Sequence, residues 1–203
     1  QWEIAAFTDD DGNVTILTLE GARFFRRQAD GRYRGGAGEY ATLTLEASAY
    51  RLRELSGAQI GFLADGRLGY VEDANGNRIT AGYTSNRLTS LTHSSGASLT
   101  LTYNAAGRLS QLTDSTGRVV AFTYDASGEH LTGVAGPRGT TAYTYNAQHA
   151  LLSVTYPSGV QQHFEYDARG RLSREYYAGY AEAVAYTYPG PGRVTLTDAL
   201  GAE

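Results

Sequence analysis

Cysteine, methionine and lysine are all missing from this 203-residue chain, proline occurs four times and tryptophan once. Without cysteine there are no disulfides, no zinc–thiolate sites and no thiol nucleophile, and compartment cannot be read from redox chemistry. Without methionine, Gln1 is not a translation start, so the chain is expected to be a processed product or a piece of something longer. The 17 basic residues are all arginines, scattered along the sequence against 21 acidic ones for a net charge of −4. That leaves no basic patch to track a phosphate backbone, and nucleic acid is not an expected partner. No stretch approaches 18 apolar residues and the N-terminus has no basic-then-apolar targeting pattern, so membrane insertion is not expected either. What is present, 41% hydrophobic residues, 25 Gly and 16 Tyr, suits a folded β-rich protein.

The tyrosines keep time. Tyr83, Tyr103, Tyr124, Tyr145, Tyr166 and Tyr188 follow one another at steps of 20, 21, 21, 21 and 22 residues, and Phe62 extends the series back by 21. Each opens a similar phrase, fullest in Tyr103-Asn-Ala-Ala-Gly107-Arg108-Leu109 and Tyr166-Asp-Ala-Arg-Gly170-Arg171-Leu172, so one short unit has been copied at least six times. The residues before each tyrosine alternate, as in Leu99, Leu101, Tyr103 or Val120, Phe122, Tyr124, which predicts a strand with one buried face. A polar, Gly-bearing turn follows, then a second run such as Arg108 to Thr113, then another turn such as Asp114-Ser-Thr-Gly117. Two strands of about six residues and two turns fill one repeat.

In the second run the apolar residues stand three apart, as in Leu131 and Val134 or Leu151 and Val154. On a regular strand that offset places them on opposite faces, so either a bulge intervenes or both faces are partly covered. Residues 1–61 are expected to be degenerate β repeats without the strict beat: Trp2 to Leu19 as strand, turn and strand, Phe24 to Tyr33 as a second hairpin, then Tyr40 to Leu45 and Tyr50 to Leu55. Residues 62–203 are the regular array, continuous with the first part as one structural unit.

The Tyr-Asp-Ala-x-Gly-Arg-Leu phrase at Tyr166, its variants at Tyr103 and Tyr124, and the Asp73-Ala-Asn-Gly-Asn-Arg-Ile-Thr-x-x-Tyr83 segment resemble the YD repeats of the rearrangement-hotspot (Rhs) family. The likeness covers nearly the whole chain. It implies an all-β, antiparallel spiral sheet of the β-solenoid or shell type with a repeat of about 21 residues. In bacterial toxin complexes and polymorphic toxins such a shell encloses a C-terminal toxic segment, and in teneurins it forms an extracellular barrel. The family's self-cleaving aspartate module has no counterpart here, and its shells are several times longer than this chain.

The YD aspartates Asp125 and Asp167 are expected to serve the turn, because an Asp side chain accepts from amides two residues on, and because Asn104, Asn146 and Pro189 stand at the same place elsewhere. Gly66, Gly107, Gly128, Gly170 and Gly192 supply the tight turn. Arg67, Arg87, Arg108, Arg171 and Arg193 begin the second run, and the expectation is a ladder of ion pairs with carboxylates of neighbouring units, rather than an anion-binding surface. The tyrosines are expected to form a buried row beside Leu101, Phe122, Tyr143 and Phe164, rather than a sugar-binding platform, with Tyr145→Ala costing about 3–5 kcal/mol.

Asp9-x-Asp11-x-Asn13 with Glu20 is similar to a calcium loop, but Val14 stands where the sharp turn needs Gly, so a hairpin is expected. His93, His130, His149 and His163 fall in different units with no paired ligand spacing, and no nucleophile elbow or phosphate loop occurs. No catalytic residue, metal or cofactor is therefore expected. The sequence reads as a non-enzymatic wall segment of a secreted or surface-delivered bacterial shell, partnered by further repeats of its parent, by copies of itself or by an enclosed toxin segment. A head-to-tail filament and an adhesive, carbohydrate-binding surface are the alternatives.

Overall fold

A computed structural model describes residues 4–179 and 181–202. Every element among them is a β-strand, each joined to the next by a short reversal, and no helix is long and apolar enough to cross a membrane. The chain divides into two compact units, residues 1–100 and 101–203.

The first unit opens with a four-stranded antiparallel sheet, β1 (Ala5–Thr8), β2 (Val14–Thr18), β3 (Gly21–Arg27) and β4 (Tyr33–Gly35), ordered as in the chain. Trp2, where the first strand was expected to begin, lies outside the described residues. A second antiparallel run follows, again in chain order: β5 (Thr42–Glu46), β6 (Ala49–Arg53), β7 (Gln59–Phe62), β8 (Leu68–Glu72), β9 (Arg78–Thr84), β10 (Arg87–His93) and β11 (Ser98–Tyr103). Hydrogen bonding therefore breaks between Gly35 and Thr42, whereas the sequence beat begins only at Phe62.

A cluster of enclosed side chains sits here. Val14, Ile16, Phe25 and Leu52 have essentially no exposed surface, and Ala6, Leu43 and Phe62 join them. Burying such side chains contributes roughly 1.5–3 kcal/mol each. Arg23 fastens the same unit from outside the core, donating to both carboxylate oxygens of Glu39 at 2.6 and 2.7 Å and to Glu54. The guanidinium in turn holds the Glu39 carboxyl below its ordinary range.

Strand β1 is also seated on the first turn of the regular array. Ala6 N donates to Gly66 O at 2.8 Å, and Ala5 bridges Arg67. Gly66 has φ of +85°, and a Cβ there would lie 2.1 Å from the carbonyl oxygen of Ala6. Only glycine satisfies both the left-handed backbone and the close approach.

The second unit consists of successive antiparallel strands: β12 (Leu109–Asp114), β13 (Val119–Tyr124), β14 (Leu131–Gly136), β15 (Gly139–Tyr145), β16 (Leu151–Thr155), β17 (Gln161–Tyr166), β18 (Leu172–Tyr177), β19 (Ala181–Gly190) and β20 (Arg193–Thr197). Among its described hydrophobic residues only Val154 is buried. The tyrosines and their −2 partners are half-buried.

The three-residue spacing of the second run is explained by a bulge. Tyr124 pairs with Leu131 and Thr123 with Gly133, so Thr132 is passed over. Leu152 is skipped between Tyr145↔Leu151 and Thr144↔Ser153, and Ser173 between Tyr166↔Leu172 and Glu165↔Arg174. Gly69 and Thr89 occupy the same place in the first unit. One extra residue turns an offset of three into an effective two, so Leu131 and Val134 share a face, opposite Tyr124 and Phe122. The last hairpin differs, with its irregularity on the tyrosine strand between Thr187 and Gly190.

Candidate functional site

The repeated feature is the turn between each tyrosine and its leucine. After Tyr166, Asp167 N donates to Arg171 O at 2.8 Å and Gly170 N to Asp167 O at 2.9 Å, closing the reversal. Asp167 Oδ1 accepts the amides of Arg169 at 2.8 Å and Arg171 at 3.0 Å, and Oδ2 accepts from Arg171 Nε at 2.8 Å. These bonds stabilise the ionised carboxyl and hold it below its ordinary range. Asn104 accepts the amide of Arg108, and Asn146 those of Gln148 and Ala150, all at 2.9 Å. The residue after the tyrosine is thus a turn acceptor, and an amide oxygen serves as well as a carboxylate.

The tyrosine hydroxyl does what the sequence pattern did not reveal. Tyr83 donates to Leu68 O at 3.0 Å, Tyr124 to Leu109 O at 2.8 Å, Tyr145 to Leu131 O at 2.9 Å, Tyr166 to Leu151 O at 2.8 Å and Tyr188 to Leu172 O at 2.7 Å. Each acceptor begins the second strand of the preceding hairpin. The pairing between hairpins stops short of it: β14 and β15 reach only Gly133↔Ala142, and β16 and β17 only Ser153↔His163. The hydroxyl therefore reaches a carbonyl beyond the end of the ladder between the two hairpins, next to the bulge, and ties them where their strand pairing has stopped. In the regular hairpins the accepting leucine is itself paired across the strand with the previous tyrosine, as Leu131 with Tyr124 and Leu151 with Tyr145, so the ties run on from repeat to repeat. Phe62, which opens the series, is buried in the first unit's core instead. Tyr103 ends β11, half-buried at the same place in its repeat.

Two expectations are corrected. The tyrosines were expected to form a buried row, but they are half-buried; Tyr83, Tyr124, Tyr145, Tyr166 and Tyr188 are bound through their hydroxyls, and Tyr145 stacks on His130. The arginines were expected to pair with carboxylates of neighbouring units. Instead Arg67 pairs with Asp65 and Arg171 with Asp167 inside their own turns, because the turn brings a carboxylate two or four residues back closer than the next unit can. What reaches the next unit is the guanidinium face, with Arg67 lying 4.3 Å over the ring of Tyr83 and Arg171 3.9 Å over that of Tyr188. Arg87 and Arg193 begin β10 and β20 with exposed side chains, as Arg108 is exposed in its turn. Gly107, Gly128, Gly170 and Gly192 all take positive φ, 70 to 76°.

The segment from Asp9 to Asn13 is a hairpin turn between β1 and β2, as expected. Asp9 Oδ1 accepts the amides of Asp11 and Asn13, and Oδ2 the side-chain amide of Asn13. Two of the histidines come together although their spacing gives no sign of it. His130 and His149, 19 residues apart, meet with His149 Nδ1 2.9 Å from His130 Nε2, beside Glu129.

The sequence profile of the teneurin YD-shell family matches residues 65–175. No curated protein matches the chain. Two crystal structures of TcdB2-TccC3 share the fold. The complex with TEV gives a TM-score of 0.53 at 14% identity over 96% of this chain. The form without the hypervariable C-terminal region gives 0.55 at 15% identity over 90%. The chain spans 11% and 12% of those two chains.

Proposed function

Because the chain belongs to the teneurin YD-shell family, we propose that it is wall material: a structural, non-enzymatic segment of a β-sheet shell that encloses or presents a toxin or effector. The observation that carries this reading is the contrast between bonding and burial in the second unit. Its strands pair with their sequence neighbours and its turns are closed by their own side chains, yet among its described residues only one hydrophobic side chain, Val154, is buried. An enzyme domain surrounds a site with a core of its own; a wall leaves both faces half-covered and gains its strength from lateral continuity. TcdB2-TccC3 shares the fold over nearly the whole of this chain, and that supports the shell reading. The natural partner is further repeat. β20 carries the exposed Val194 and Leu196 on the last strand of the sheet order, a surface suited to another strand of the same kind. The test is limited proteolysis of the full gene product. Segments following the repeats should stay uncut while the same segments, expressed alone, are digested, and equal digestion of both would overturn the reading.

A further inference from the structure

Glu129, His130 and His149 bring one ligand atom each to within 4.8 Å of one another, from two turns of successive hairpins in the second unit. We propose that they form a binding site for a divalent first-row transition metal, with His130 Nε2, His149 Nδ1 and the Glu129 carboxylate as ligands and solvent completing the shell. The site is independent of the shell reading, since it rests on the two turns alone.

Three features of the turns set these groups up for a metal. First, His130 Nδ1 is engaged by Asp125 Oδ2 at 2.6 Å. A carboxylate on one imidazole nitrogen makes that nitrogen the proton carrier and leaves Nε2 with its lone pair outward, the arrangement that orients metal-bound histidines. Asp125 is itself held by the turn, accepting the amides of Glu129 at 3.0 Å and His130 at 3.3 Å. Second, His130 is clamped in orientation by the ring of Tyr145, 4.5 Å away between centroids and 30° from parallel.

Third, His149 stands where other repeats have glycine, as at Gly107, Gly128 and Gly170, and it keeps the left-handed backbone, φ +64°. A histidine costs energy in that conformation, and a residue kept where glycine is easier points to its side chain. That side chain lies with its ring 4.9 Å from His130 and Nδ1 3.8 Å from Glu129 Oε2.

The dimensions fit. Two nitrogens on one tetrahedral zinc are roughly 3.3 Å apart, given bonds of about 2.0–2.1 Å, and the 2.9 Å between Nε2 and Nδ1 needs to open by only a few tenths of an ångström. His149 can make that movement, because 65% of its side chain is exposed. Two imidazoles and one carboxylate suit zinc, nickel or copper and are a poor set for magnesium, which prefers oxygen alone. A bound ion would cross-link the two turns, adding a bond between repeats where the tyrosine ties already run.

The test is calorimetric titration of the purified, tag-free chain with zinc chloride, nickel chloride and magnesium chloride at neutral pH, with thermal melts alongside. Zinc and nickel should bind one per chain and raise the melting temperature, and magnesium should do neither. His149→Gly restores the residue of the other repeats and should fold as well or better while weakening zinc binding at least about tenfold. Asp125→Asn keeps an acceptor in the turn, as Asn104 and Asn146 do, and should weaken binding by about tenfold through His130. The absence of saturable zinc or nickel binding would overturn the proposal, as would affinity unchanged by His149→Gly or equal binding of magnesium.

Discussion

A single oxygen atom explains why the beat is kept by tyrosine rather than by any large hydrophobic residue. The ring supplies cross-strand contact to the leucine of its own hairpin, which phenylalanine would do as well, while the hydroxyl reaches the leucine carbonyl of the hairpin before. For Tyr166, half-buried with its hydroxyl 2.8 Å from Leu151 O, Tyr166→Phe should cost about 1 kcal/mol, the net worth of one hydrogen bond. Tyr166→Ala should cost about 2–3 kcal/mol, less than for a fully enclosed aromatic because much of the ring remains in water. Urea denaturation of the two variants beside the parent chain checks both values. Equal costs would mean that the hydroxyl contributes the whole effect, and a silent Tyr166→Phe that it contributes none.

At the scale of the hairpin the decisive residue is the one that pairs with nothing. Ser173 lies in the bulge of β18 and has no cross-strand partner in the hairpin. Replacing it by alanine should change stability by no more than about 0.5 kcal/mol. Deleting it should join Leu172 and Arg174 into a regular ladder opposite Tyr166 and Glu165 and leave the faces of β18 unchanged, so the melting temperature, followed by circular dichroism, should fall no further than for Tyr166→Phe, and a much larger fall would mean that the bulge itself sets the strand. Such bulges mark the limit of what was legible in the residues. Alternation before each tyrosine and Asx-Gly turns after it identify both strands of every regular hairpin, but Leu131 and Val134 fit a bulge and a two-sided strand equally until the pairing is known. The first 35 residues lack the beat, so nothing in their sequence separates β1 to β4 from the strands that follow, and Arg23 gives no sign that Glu39 and Glu54, 16 and 31 residues on, will close around it. His130 and His149 escape notice for a related reason. Their separation is not a repeat length because one ends its turn and the other occupies the glycine position of the next.

For the whole molecule, the two units bear their load differently. Residues 1–100 hold an enclosed cluster around Phe25, Ile16, Val14 and Leu52, with Gly66 receiving β1 at a distance that admits no side chain. Residues 101–203 repeat one hairpin, with its strand ladder, its bulge and its tyrosine tie, and bury little. Such a segment is complete as architecture only when more of the same lies beside it, which is why wall rather than catalyst is the account's central claim. Electron cryo-microscopy of the full gene product tests it most directly. The account predicts a hollow body in whose wall residues 62–202 run as consecutive hairpins, each tyrosine hydroxyl on the leucine carbonyl of the hairpin before; a solid particle with no lumen, or these repeats folded around a pocket of their own, would contradict it.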